Sequence, residues 1–115
     1  MASRLETRPS LFGTALRTRV LTAVAALEET YPVELARILG SKETLPVRRV
    51  LSSLEREGVI ASRPRLGVRQ VFLDPRYFAA KELRALLERL AKADPVLSAG
   101  IAADRRRPRR VGKSV

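Results

Sequence analysis

The chain has no cysteine, no histidine and no tryptophan, and aromatic residues occupy only 4% of its 115 positions. Each absence removes a class of chemistry. Without cysteine there is no disulfide framework, a composition that fits a reducing compartment. Without cysteine or histidine, no thiolate or imidazole can ligate a metal, attack a substrate or shuttle a proton. Gly13 stands alone, with no glycine-rich phosphate loop around it. No apolar run approaches the roughly 20 residues of a membrane span, and the first residues are too polar for a secretory leader, so a soluble, cytoplasmic protein is expected.

What the chain has is aliphatic bulk and positive charge. Hydrophobic residues make up 45% of it, enough for one aliphatic core. The net charge is +11, from 23 basic and 12 acidic residues, a balance that suits a polyanionic partner. The excess is uneven. Arg105, Arg106, Arg107, Arg109, Arg110 and Lys113 cluster at the end, leaving 17 basic residues against 12 acidic ones in 1–104. That end reads equally as a nucleic-acid arm or as a solvated tail.

The periodicity divides the chain into a loose arm (1–9), one folded domain (10–93) and a basic, disordered tail (94–115). Ser10 is a candidate cap for a first helix over 11–30, with an apolar stripe of Leu16, Val20, Ala23, Val24 and Leu27. Leu21 and Ala25 form a second, narrower face that requires another element or another subunit. Tyr31-Pro32 breaks that helix and starts a short one ending near Leu39, with Gly40 as its stop. After a tight turn, Thr44 can cap a third helix with Val47, Val50, Leu51 and Leu54 inward. Beyond Gly58 the period becomes extended: 59–63 and 69–73 read as strands joined by Pro64-Arg65-Leu66-Gly67. Asp74-Pro75 stops the hairpin, and a fourth helix over 78–93 carries Leu83, Leu86, Leu87 and Leu90. Asp94-Pro95 ends it, with at most a further helical turn over 96–103.

Two helices joined by a short turn and followed by a hairpin match a winged helix-turn-helix: mainly α with a small β-hairpin, a three-helix core, a wing and a C-terminal helix. In order and spacing, Leu16-Arg17-Thr18-Arg19-Val20-Leu21, Glu34-Leu35-Ala36 with Leu39-Gly40, and Val47-Arg48-Arg49-Val50-Leu51 with Leu54 resemble the ArsR-type winged helix-turn-helix regulators over about residues 10–93. The resemblance implies a homodimeric, sequence-specific DNA-binding regulator, a repressor acting by promoter occlusion, with no cofactor. It also implies a dimer surface built from the first and last helices, for which Leu21, Ala25, Leu83, Leu87 and Leu90 are the candidates. The chain departs from the metal-sensing members, whose cysteine and histidine ligands it lacks.

The DNA-facing candidates are Lys42, Thr44, Arg48, Arg49, Ser52, Ser53 and Arg56 on the third helix and its turn, and Arg63, Arg65 and Arg69 on the hairpin. Arginine can bond guanine bidentately or grip phosphate. Adjacent Arg48 and Arg49 point about 100° apart on a helix, so one can read a base while the other holds the backbone. Capping alone would account for Thr44. Arg17 and Arg19 suit either phosphate contact or ion pairs to Glu28, Glu34 or Glu55, and Tyr31, Phe72, Tyr77 and Phe78 suit core or interface positions. Two other readings remain open: an architectural or RNA-binding protein with little sequence preference, and a winged helix used for protein contacts. An enzyme is the least favoured class, because no acid pair, thiol or imidazole remains to carry chemistry.

Overall fold

The computed structural model describes residues 10–105; the 1–9 arm and the charges beyond Arg105 lie outside them. Five helices and one antiparallel hairpin follow in the order α1 (Ala15–Leu27), α2 (Pro32–Ile38), α3 (Leu45–Arg56), β1 (Ile60–Arg65), β2 (Val68–Leu73), α4 (Ala80–Lys92) and α5 (Pro95–Arg105). This is a winged-helix-like arrangement, mainly helical with a two-stranded wing. Among the described residues no helix is long and apolar enough to cross a membrane.

The first helix starts later and stops earlier than the expected 11–30, and coincides with its apolar stripe from Leu16 to Leu27. Ser10 only closes a turn, accepting from the Gly13 N–H at 3.0 Å. Thr14 is the true N-cap, its hydroxyl accepting from the Arg17 N–H. At the far end Glu28 turns to φ 70°, and Thr30 pairs with Val71 of β2 in a single bridge. Thr18 and Thr22 sit buried in this helix because their hydroxyls donate to the carbonyls one turn back.

The core is aliphatic, as the scarcity of rings requires. Val20, Val24, Leu35, Val47, Leu54, Ile60 and Val71 are all essentially inaccessible to solvent. Leu21 and Ala25, the second face of α1, are buried too, and so is Leu87 of α4, because α1 packs against α4 and α5 of its own chain. These three therefore cannot form a dimer surface. Leu83 and Leu90 are partly buried against the same core.

The boundary at residue 93 also needs correcting. Residues 95–105 form α5, with Leu97 fully buried. Asp94 ends α4 and caps α5 at once: its carboxylate accepts from the Leu97 N–H at 3.0 Å, with Pro95 in the first turn, where no amide is needed. Gly100 brings α5 against α2, since a Cβ there would lie 2.6 Å from the Ile38 carbonyl oxygen. Arg37 of α2 donates to Asp104 of α5 at 2.7 Å. Arg19 of α1 reaches Asp94 at 3.4 Å, an ion pair with little solvent access and without hydrogen-bond alignment. Helix α5 is part of the fold, and it holds α1 and α2 together.

Candidate nucleic-acid interface

Helix α3 sorts its residues by face. Val47, Leu51 and Leu54 are buried, while Leu45, Arg49, Ser52 and Arg56 form an exposed stripe at spacings of four and three, with no acid in it. Arg48 flanks this stripe on the side nearest the wing. It is exposed and makes one long contact, 3.4 Å from its Nε to the Thr44 hydroxyl. Thr44 occupies the N-cap position without capping, because its backbone is helical and its side chain serves Arg48 instead. Lys42 is exposed in the turn before it.

Ser53 belongs to the opposite flank. Arg17 of α1 donates to its hydroxyl and to the Glu57 carboxylate, both at 2.8 Å. Ser53 is therefore a fixture between α1 and α3 rather than part of the outward stripe. Arg17 holds α3 in place, and its partner is Glu57 rather than the acids the sequence suggested.

The wing distributes its arginines differently from the sequence expectation. The strands pair from Ile60↔Leu73 out to Arg65↔Val68, so the loop is only Leu66-Gly67, with φ 54° and 82°. Side chains alternate across the pleat. Ser62 and Arg69 face α3, where both bond to Glu55; Arg69 also donates to the Ser62 hydroxyl at 3.0 Å. Arg63 lies on the reverse face. It donates to Glu29 at 2.8 Å and to Gln70 at 3.0 Å, and stacks over Phe72 at 4.8 Å. Arg63 and Arg69 thus have acids from other elements, and Arg63 does not share a face with Arg48 and Arg49. Arg65, two residues on and so on the same face of the strand as Arg63, lies near the tip, is exposed and makes no hydrogen bond or ion pair among the described residues.

Between α3 and the wing lies an open cleft of about 480 Å³, floored by Leu51 and Val71 and edged by Tyr31, Arg48, Ser52 and Arg69. The Arg69–Glu55 pair braces the wing against α3. Among the described residues there is no group of three metal-ligating side chains. At the end of β2, Asp74 accepts from the Arg76 side chain at 3.2 Å and from its N–H at 2.9 Å. Those bonds, the side-chain ones first, hold its carboxyl below the usual value.

Comparison with family models, curated proteins and solved structures finds no match to this chain.

Proposed function

We propose that the protein is a sequence-specific, double-stranded DNA-binding regulator of the ArsR-like winged-helix kind. It acts in the cytoplasm as a homodimeric repressor that occludes its promoter. One observation carries the reading: Arg48, Arg49 and Arg56 are exposed on α3, with Arg65 at the wing tip, and none of the four has an acidic partner among the described residues. Six other arginines, Arg17, Arg19, Arg37, Arg63, Arg69 and Arg76, each pair with a carboxylate, while Arg84 and Arg89 on α4 and Arg105 at the end of α5 make no ion pair among the described residues either. Cations left unpaired on one helix and its neighbouring wing suit phosphates and guanine edges.

Arg48 and Arg49 supply base and backbone contacts, while Lys42, Arg56 and Arg65 hold phosphates. Replacing Arg48 and Arg49 together by Ala lowers affinity for a selected duplex by about 1–3 kcal/mol for each bidentate bond to a base that is removed, with helix content unchanged. Arg63→Ala, on the reverse face, leaves DNA affinity close to that of the parent chain. Equal losses from the two changes, or no loss from the first, would refute the assignment.

The dimer requires a surface other than Leu21, Ala25 and Leu87. The exposed stripe Glu82, Ala85, Leu86 and Arg89 on α4 is self-complementary when two copies run antiparallel, with Glu82 of one beside Arg89 of the other. Phe78, 90% exposed just before α4, adds apolar area. Glu82→Arg splits the dimer in sedimentation velocity, and adding Arg89→Glu restores it. A double variant that stays monomeric would remove this surface from the account.

A further inference from the structure

We propose that Leu66 is an apolar wedge that the wing presents to the minor groove of duplex DNA, where it opens a base step and contributes to sequence preference; this rests on the DNA-binding reading above. Leu66 has nothing to do in the fold. It is 78% exposed, and the outer half of the hairpin around it is exposed as well. Its backbone is held at φ 54°, with Gly67 at 82°. Two successive residues in that region make the type I′ turn that closes two-residue hairpins, for which Asn-Gly is the favoured pair. A leucine there is strained, because its Cβ crowds the following carbonyl. The tip thus carries a residue that harms the turn and adds nothing to the core. Strain and apolar exposure at one position point to a contact made outside the chain.

The surroundings select the partner. Residues 60–73 contain no acid, and of their three arginines Arg63 and Arg69 are paired to Glu29 and Glu55 from other elements while Arg65, beside the tip, has no acidic partner among the described residues. Arg65 adjoins Leu66 in sequence, and Val68, its pairing partner across the turn, is also exposed. An apolar tip with an unpaired arginine beside it fits a surface that is negative at its rims and apolar within. The minor groove has phosphates on both edges, and its base steps accept apolar side chains that partly unstack them. Pyrimidine–purine steps open most easily, so the wedge favours TA or CA at the position beneath the tip.

The test uses the full chain and two variants, Leu66→Asn and Leu66→Gly, both compatible with the turn. Each raises the thermal midpoint, because the strain is relieved. Each also weakens binding to a selected duplex by roughly tenfold, the equivalent of one buried leucine side chain. The slope of log affinity against log salt stays unchanged, since no charge is removed. A 2-aminopurine placed at the favoured step brightens with the parent chain and not with the variants. If the parent binds duplex DNA and both variants bind equally well, the wedge is refuted while the DNA-binding reading stands. If the parent binds no duplex, the underlying reading fails and takes the wedge with it. If the variants instead lower self-association and leave DNA affinity intact, Leu66 is a subunit contact and the wedge is refuted.

Discussion

Gly100→Ala gives opposite signs in two accounts of the C-terminal segment. If 95–105 were an ordinary solvated helix, alanine would stabilise it by about 1 kcal/mol through helix propensity. In the structure the added Cβ would lie 2.6 Å from the Ile38 carbonyl oxygen and 3.4 Å from its Cγ2. Ordinary contact begins near 3.4 Å, so the overlap with the oxygen approaches 1 Å. That oxygen is backbone in α2 and cannot rotate away, so α5 must move off α2 and loosen Leu97 and the Arg37–Asp104 bond. Overpacking of this kind costs roughly 1–3 kcal/mol. After the propensity gain, a net loss of roughly 0–2 kcal/mol remains, a fall of up to about 10 °C in Tm for a domain of this size. Urea and thermal unfolding followed by circular dichroism read it directly. Ala99→Gly, at an exposed neighbouring position, serves as the control, losing only about 1 kcal/mol of propensity. A Gly100→Ala chain more stable than the parent, by the full propensity gain of about 1 kcal/mol, would show that α5 does not pack on α2 as described.

Asp94→Ala removes the α5 cap and leaves Arg19 without its counter-charge; the expected loss is about 3 kcal/mol in urea unfolding, and a loss under 1 kcal/mol would mean the pair contributes little. Asp74 titrates below the usual carboxylate value because Arg76 bonds its ionised form. With its folded value lowered, its contribution to stability is present above the usual value and fades as the pH falls through the folded one. Carbon-13 NMR of the Asp74 carboxyl gives a depressed midpoint that Arg76→Ala moves upward; an ordinary midpoint in the parent chain would contradict the Asp74–Arg76 geometry.

The elements of the fold were largely legible because their signals are local. The stripe of Val47, Val50, Leu51 and Leu54 does face inward, and Gly58 does end α3. Helix α5 was hidden by Asp94-Pro95, which reads as a stop. The same pair caps the next helix, and Leu97 and Ile101, four residues apart, were the available signal. The second apolar face of α1 correctly demanded a neighbour, but periodicity cannot say whether that neighbour is the same chain or another copy. The interface was less legible for a related reason. Arg63 and Arg69 look alike in the sequence, and what separates them is Glu29 and Glu55, placed by the fold from 34 and 14 residues away. Ser53 likewise lies beside Ser52 yet faces Arg17. Leu66 reads as an ordinary turn residue until its backbone angle and exposure are known.

The central claim is sequence-specific recognition of duplex DNA by α3 and the wing. Fluorescence anisotropy with the best duplex from a selected pool, against random duplex, at several salt concentrations tests it most directly. The account predicts selected DNA bound about a thousandfold or more tighter than random, with both affinities falling linearly in log–log plots against salt. Affinities within a few-fold of each other, or no duplex binding at all, would contradict it.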